Sequence, residues 1–151
     1  MAEPLPNIQK VDIGTKHITG LKIRTCNADE RYPDTPKIGA LWGKFINTYA
    51  PAFPHYGVYY HYDSDFRGMY DVLAGVEGVC DGCPDTVQIQ EGRYLKFSAK
   101  GELHQAVMEC WKQIDAYFED PSIDERRAYD TDFEVYSSIN EVAVYVGVHY
   151  F

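Results

Sequence analysis

Two stretches of the chain place their apolar residues at intervals of three and four, the spacing of an amphipathic helix. The first helix is predicted over about residues 35–49, where Asp34-Thr35-Pro36 supplies an N-cap and a first-turn proline. The second is predicted over about residues 102–118 and ends before Pro121. The apolar stripes consist of Ile38, Leu41, Trp42, Phe45 and Ile46, and of Leu103, Val107, Cys110, Trp111, Ile114 and Phe118. Each helix is therefore expected to lie on another layer.

Runs rich in β-branched and aromatic residues are predicted as strands. They cover residues 18–26, 56–62, 70–78, 93–98, 132–137 and 142–150. Together with the helices they give the order strand, helix, strand, strand, and then the same order again. The end of the second copy is similar to the end of the first, since Val144-Tyr145-Val146-Gly147-Val148 follows the pattern of Val72-Leu73-Ala74-Gly75-Val76.

This order predicts an α+β fold in which two duplicated β-α-β-β units, related by a pseudo-two-fold axis, form one antiparallel sheet with two main helices. A single domain is expected over residues 1–151, with halves at about 8–78 and 92–151 and a linker at about 79–91. The chain before about Ile8 is expected to be a loose arm. Clefts between two halves are common ligand sites, so a central ligand groove is predicted between them.

The segment from Thr131 to Tyr136 carries the most informative chemistry. Side chains alternate in a strand, which places Asp132, Glu134 and Tyr136 on one face and Phe133 and Val135 on the other. We expect the apolar pair to face the helix-covered core. A carboxylate among aromatic rings would suit a lipophilic cation, because each ring face attracts a cation by about 0.5–2 kcal/mol.

Further candidate site residues come from the neighbouring elements. They are Tyr145 in the last strand, Tyr60 in the first half, and the helix residues Trp42 and Trp111. The pattern leaves open whether the two tryptophans belong to the core or to the pocket. It also leaves open that Glu134 is a solvated residue on a wet sheet face, which antiparallel sheets often have.

Composition adds an excess of rings to this picture. Aromatic residues make up 15% of the chain, including 13 Tyr, which is more than a core of this size needs. The net charge of -9 argues against direct nucleic-acid binding. No stretch approaches the length of a membrane span and the N-terminus has no basic-then-apolar pattern, so we expect a cytoplasmic protein without membrane contact.

Cysteine spacing gives little evidence for a metal. Cys26 is expected in a strand and Cys110 on the buried face of a helix, while Cys80 and Cys83 have the spacing of half a zinc site. Without a second pair we expect two thiols in a turn. No metal and no cofactor is predicted.

The ordered motifs resemble a known family, the GyrI-like or AraC-type effector-binding domain, from Ile18 to the end of the chain. The motifs are Ile38-Gly39-Ala40-Leu41-Trp42-Gly43-Lys44-Phe45, Tyr56-Gly57-Val58-Tyr59-Tyr60, Tyr70-Asp71-Val72-Leu73-Ala74-Gly75-Val76, Asp132-Phe133-Glu134-Val135-Tyr136 and Val144-Tyr145-Val146-Gly147-Val148. The resemblance implies a duplicated β-α-β-β fold that binds diverse, often cationic, hydrophobic compounds. It also implies that Glu134 is the acidic pocket residue, with Tyr136 and Tyr145 as its neighbours.

Two departures from the family qualify the resemblance. Gly147 stands where members often have proline, so the last strand is expected to run straighter. No helix-turn-helix precedes the domain, so we expect a stand-alone form that does not bind DNA itself.

The favoured function is a stand-alone binding protein for hydrophobic or cationic small molecules, acting as a ligand sensor. One alternative is a hydrolase of reactive cyclopropane-type compounds, in which Glu134 is the general base and the Tyr145 hydroxyl assists. The other is an inhibitor of a protein partner that uses an acidic face formed by Asp29, Glu30, Asp63 and Asp65.

Overall fold

The structure is a computed structural model that describes residues 8–31 and 37–150. Its elements are β1 (Ile8–Ile13), β2 (Lys16–Cys26), α1 (Asn27–Arg31), α2 (Ile38–Tyr49), β3 (His55–Tyr60), β4 (Met69–Glu77), β5 (Asp85–Ile89), β6 (Gly92–Lys100), α3 (Leu103–Glu119), β7 (Glu125–Ser138) and β8 (Glu141–Tyr150). The predicted α+β class is confirmed. No helix in the described ranges is long and apolar enough to cross a membrane.

The two predicted helices are present as α2 and α3. The N-cap predicted at Asp34-Thr35-Pro36 lies outside the described residues. The cap that the structure does show comes from α1, a helix that the sequence pattern did not indicate: the backbone N–H groups of Lys37 and Ile38 donate to the Glu30 carboxylate over 3.0–3.1 Å. A carboxylate at this end also suits the helix dipole.

Within the described residues, the sheet has eight strands in the order β1-β6-β8-β7-β3-β4-β2-β5, with all pairs antiparallel. The predicted units correspond to β2-α2-β3-β4 and β6-α3-β7-β8. They meet at the pair of β3 and β7, where Gly57 lies opposite Glu134. The middle of the sheet is therefore the boundary between the two halves.

The two edge strands are not predicted by the sequence pattern, and they extend the duplication. Each half begins with one extra strand, and that strand pairs with the other half: β1 pairs with β6, and β5 pairs with β2. The segment at 79–91 that was predicted to be a linker thus contains β5. Each half is a β-β-α-β-β unit whose first strand pairs with the edge strand of the other half.

Both faces of the sheet are buried. On one face, α2 packs through Leu41 and Phe45 against β2 and β4, and α3 packs through Cys110 and Ile114 against β6 and β8. The opposite face carries a third cluster without helices, formed by Ile18, Tyr56, Val58, Tyr60, Leu73, Val87, Ile89, Tyr94 and Phe133. Residues of both edge strands join this cluster, so the sheet curls until its two edges share one core.

The expected assignment of faces in β7 is wrong. Phe133 belongs to the cluster without helices, whereas Glu134 lies on the helix-covered face. The prediction assumed that apolar positions of a central strand face the helices. Here the helix-facing positions of β7 are polar and hydrogen-bonded, and the apolar positions face the cluster without helices.

The two cysteines of the CxxC motif are joined by a disulfide, Cys80–Cys83, rather than being free thiols. Both pack against the cluster beneath α2. Cys26 ends β2 and Cys110 is fully buried in α3, as predicted. No group of three or more metal-ligating side chains occurs in the described part of the chain.

Candidate functional site

A buried carboxylate with aromatic hydrogen-bond donors marks the centre of the helix-covered face. Glu134 is 3% exposed. Its Oε2 accepts hydrogen bonds from the Trp111 indole over 2.8 Å and from the Tyr59 hydroxyl over 2.9 Å, and its Oε1 accepts one from the Tyr136 hydroxyl over 2.8 Å. These donors come from α3, β3 and β7 itself, so elements of both halves hold the carboxylate. The alternative that Glu134 lies on a wet sheet face is wrong.

The pKa of Glu134 lies above its ordinary value because burial penalises the charged form. The hydrogen bonds from Trp111, Tyr136 and Tyr59 oppose this effect without cancelling it. Burial, and then the negative charge of Glu134, raise the pKa of the Tyr59 and Tyr136 hydroxyls well above the ordinary value, so both keep their protons and remain donors. The carboxylate thus has donors but no compensating positive charge: no basic side chain of the described residues forms an ion pair with it.

Gly57 makes room for this group. A Cβ atom at Gly57 would lie 2.8 Å from Glu134 Oε1 and 3.0 Å from Cζ2 of Trp42. The Trp42 ring meets the Tyr136 ring edge-on at a centroid distance of 5.2 Å. The absence of a side chain on β3 is therefore what lets the carboxylate and the indole of α2 approach each other.

A second buried acid lies two residues earlier on the same face, and it has a cation. Asp132 is fully buried and forms an ion pair with Arg127, with Nη2 and Oδ2 2.7 Å apart. It also accepts hydrogen bonds from the Tyr62 hydroxyl and from the Gly147 backbone. The ladder between β7 and β8 is irregular between Arg127 and Asp132, which brings the two side chains together.

A cavity of about 220 Å³ lies between α2 and α3, next to these two acids. Its aromatic lining consists of Tyr59, Tyr62, Phe66, Tyr70 and Trp111. Its charged lining consists of Glu30, Asp115 and Arg127. Tyr59 and Trp111 line the cavity and also donate hydrogen bonds to Glu134, so Glu134 lies directly behind the aromatic wall. The volume is below the ~300–1,000 Å³ of common small-molecule sites, so a drug-sized ligand would have to widen the cavity.

The structure brings four of the six predicted site residues together. Glu134 contacts Trp111 and Tyr136, and Trp42 packs against Tyr136. Trp111 lines the cavity, whereas Trp42 packs behind the carboxylate and is not part of the cavity wall. The two tryptophans therefore differ in place, although both lie near Glu134.

Tyr60 and Tyr145 lie on the opposite face of the sheet, so the prediction that they neighbour Glu134 is wrong. The Tyr145 ring stacks on Phe133 with centroids 4.5 Å apart, and Tyr60 is part of the same cluster. The reason is again the inverted face of β7, since Tyr145 pairs with Phe133 in the ladder. Tyr145 therefore cannot be the hydroxyl that assists Glu134 in the hydrolase alternative, because the sheet separates the two side chains.

Sequence reasoning missed Tyr59, Tyr62 and Arg127. Tyr59 could have been found, because it lies two residues after Gly57 on β3 and so shares the face on which Gly57 meets Glu134. Tyr62 and Arg127 lie where strand alternation carries no information: Tyr62 follows the end of β3, and Arg127 precedes the irregularity in β7.

Comparison with known proteins shows the family of this chain. Residues 11–148 match the family Cass2, described as integron-associated effector binding protein. The chain belongs to the Cass2 family. No curated protein matches this Cass2-family chain.

Solved structures support the same assignment. The integron cassette protein VCH_CASS2, from the mobile metagenome of Vibrio cholerae, is 38% identical with a TM-score of 0.86, and the match covers 95% of this chain and 97% of that one. Two more distant structures share the fold of this Cass2-family protein. SAV2435 bound to tetraphenylphosphonium is 14% identical (TM-score 0.69, coverage 94% and 93%). A candidate bacterial transcription regulation protein from Staphylococcus aureus MU50 is 15% identical (TM-score 0.68, coverage 93% and 97%).

Proposed function

We propose that this Cass2-family protein is a receptor for hydrophobic, cationic small molecules, with Glu134 as the counter-ion. The ligand would bind in the cavity between α2 and α3, and its charge would lie next to the aromatic wall in front of Glu134. The proposal includes a role as a ligand sensor of the GyrI-like, AraC-type effector-binding kind.

The observation that carries the proposal is the difference between the two buried acids. Asp132 has Arg127 as its partner within the protein, whereas Glu134 has hydrogen-bond donors only. A buried ionised carboxylate is costly unless a positive charge compensates it. A bound cation would supply that charge and would favour the ionised form of Glu134.

The aromatic wall supports the same class of ligand. The rings of Tyr59 and Trp111 stand edge-on at a centroid distance of 5.4 Å, and both line the cavity. Ring faces attract a desolvated cation by up to about 2 kcal/mol each, and their area also binds apolar substituents. A structure with the same fold, SAV2435, was solved with the lipophilic cation tetraphenylphosphonium.

The test is a thermal-shift and calorimetric screen of the wild type and of the Glu134→Gln variant. The panel contains tetraphenylphosphonium, smaller quaternary ammonium compounds, neutral aromatics and aromatic anions. A ligand at about a hundred times its dissociation constant adds about 2.7 kcal/mol of stability, which raises the melting temperature of a domain of this size by roughly 5–10 °C. We expect such shifts for the cations only, and only with the wild type.

The matched control is Glu109→Gln, which removes the same charge from an exposed position of α3. This variant should bind cations as the wild type does, because the side chain at position 109 is exposed to solvent and does not line the cavity. Cation affinity that is undiminished in Glu134→Gln, or equal shifts with neutral and anionic compounds, would refute the proposal.

A further inference from the structure

Arg127 holds an unusual position in the wall of the cavity. Its side chain is only 9% exposed, and Nη2 pairs with Asp132. The guanidinium lies over the Tyr129 ring at 4.5 Å and near the Trp111 ring at 5.9 Å. Its Nε–H group has no hydrogen-bond partner among the described residues and is itself almost completely buried, so a ligand would reach it only by widening the cavity.

A buried donor without a partner needs an explanation, since more than about 90% of such groups are satisfied in folded proteins. Leaving one unsatisfied costs about 1–3 kcal/mol, and more when the group is charged. The local backbone is also held in a rare conformation, because Tyr129 has a φ of 55°. Non-glycine residues in this left-handed region are strained and cluster at functional sites.

We infer that the Nε–H group of Arg127 is a second recognition point of the cavity, and that the ligands are organic cations which also carry a neutral hydrogen-bond acceptor such as a carbonyl. This inference rests on the proposed function and narrows its ligand class. The cationic end would lie towards Glu134 and the acceptor towards Arg127. Trp111 connects the two points, because its Nε1 donates to Glu134 while its ring lies beside the guanidinium.

The acceptor is inferred to be neutral because the charge of Arg127 is already matched. Asp132 neutralises the guanidinium, and the carboxylates of Glu30 and Asp115 line the same cavity. A carboxylate on the ligand would therefore be repelled by several acids. A carbonyl oxygen would accept from Nε–H without adding a charge, and hydrogen bonds to charged groups are among the stronger ones in proteins.

The experiment compares three small compounds of nearly equal shape that suit the size of the cavity. The first is 4-acetylbenzyltrimethylammonium, and the second is its 4-isopropenyl analogue, in which a CH₂ group replaces the carbonyl oxygen. The third is 4-neopentylacetophenone, which keeps the carbonyl but replaces the ammonium nitrogen with carbon. Dissociation constants are measured by calorimetry for the wild type, Arg127→Lys and Glu134→Gln.

We expect the wild type to bind the acetyl compound about tenfold more tightly than the isopropenyl compound. In Arg127→Lys the ion pair with Asp132 can persist but the fork of N–H donors is lost, so the ratio should fall to about one. Because the ratio compares two ligands on one variant, it does not depend on the variant's stability. The ¹⁵N resonance of Arg127 Nε should move when the acetyl compound binds and not when the isopropenyl compound binds.

Equal affinities of the two cations for the wild type would overturn the inference, and so would a preference that persists in Arg127→Lys. If the two cations fail to bind but the neutral ketone binds and depends on Arg127, the proposed function is wrong and the Arg127 recognition point stands. If none of the three compounds binds, the inference is wrong, and the panel of cations described above decides the proposed function separately. Glu134→Gln should weaken both cations together and leave the ketone unchanged.

Discussion

At the scale of single residues, the site is a contrast between two acids on one strand. Asp132 and Glu134 lie on the same face of β7 and are both almost fully buried. Asp132 has a guanidinium as its partner, while the donors of Glu134 are neutral hydroxyl and indole groups. In the proposed function, these different environments make Glu134 the acid whose charge would respond to a bound cation.

This contrast predicts that cation affinity depends on pH. The pKa of Glu134 in the free protein is raised by burial, and a bound cation favours the charged form. Below the pKa that Glu134 has in the free protein, binding should therefore release the carboxyl proton. Cation affinity should rise by up to about tenfold for each unit of increasing pH, and it should level off above that pKa. Calorimetry with benzyltrimethylammonium, whose charge does not titrate, tests this prediction, and Glu134→Gln should give a flat profile.

The same raised pKa has a consequence for stability. A carboxyl group whose pKa is higher in the folded than in the unfolded state contributes stability that is fully present below about pH 4.3, the ordinary value, and is lost as pH rises through the folded-state pKa. The melting temperature of the free wild type should therefore fall relative to that of Glu134→Gln over this window. A constant difference between the two proteins would contradict the raised pKa.

The space at Gly57 gives a third prediction at this scale. In Gly57→Ala the new methyl group would meet Glu134 Oε1 at 2.8 Å and Trp42 at 3.0 Å. The carboxylate is held by three donors and cannot simply turn away, so we expect a loss of about 1–3 kcal/mol in the free energy of unfolding and weaker cation binding. Urea denaturation and calorimetry measure the two effects.

Gly43→Ala is the matched control for Gly57→Ala. A Cβ atom at Gly43 meets nothing within 4 Å, and the residue lies in the middle of α2. Alanine is favoured over glycine in a helix, so this variant should gain about 0.5–1 kcal/mol and bind cations normally. Equal behaviour of the two variants would mean that the space at Gly57 is not needed.

At the scale of elements, the spacing of apolar residues predicts where helices and strands occur better than it predicts which face of a strand meets the helices. The stripes of α2 and α3 locate both main helices, because Leu41, Phe45, Cys110 and Ile114 are buried as their spacing requires. The strands that carry long β-branched or aromatic runs are also located. The edge strands β1 and β5 escape prediction because each depends on pairing with the other half of the chain, which local sequence does not encode.

The orientation of β7 could not be predicted for a different reason. Alternation correctly separates Glu134 from Phe133, but both faces of the sheet are buried, so no wet face identifies the inner side. The rule that apolar residues face helices then gives the wrong answer. It would have been overruled only by knowing that Trp111 and Tyr59 supply donors to the carboxylate.

That inverted face decides which predicted site residues stay together. Trp42, Trp111 and Tyr136 remain near Glu134 because they reach the helix-covered side of the sheet. Tyr60 and Tyr145 lie with Phe133 in the cluster without helices, on the opposite face of the sheet. One choice of face thus accounts for the four residues that were correctly grouped and for the two that were not.

At the scale of the whole molecule, the two halves are linked in three places. The central pair of β3 and β7 joins them, β1 pairs with the second half, and β5 pairs with the first. The site lies on the central join, with Tyr59 from one half and Trp111 from the other bonded to Glu134. Neither half could complete the site alone.

This interlocking predicts that the halves unfold as one cooperative unit. Ile89 and Ile114 are both fully buried. Ile89 belongs to the cluster without helices, and Ile114 belongs to the core beneath α3. Truncation of either to alanine should cost about 2–5 kcal/mol and shift the whole transition. Ile139→Ala is the control, because Ile139 is 77% exposed and should have little effect.

The measurement is urea denaturation followed by circular dichroism and by the fluorescence of single-tryptophan proteins. Trp42 reports on the first half in Trp111→Phe, and Trp111 reports on the second half in Trp42→Phe. Within each protein, fluorescence and circular dichroism should give coincident transitions, and Ile89→Ala added to either background should shift both signals equally. If Ile89→Ala instead separated the two signals into early and late transitions, the exchanged edge strands would not couple the halves.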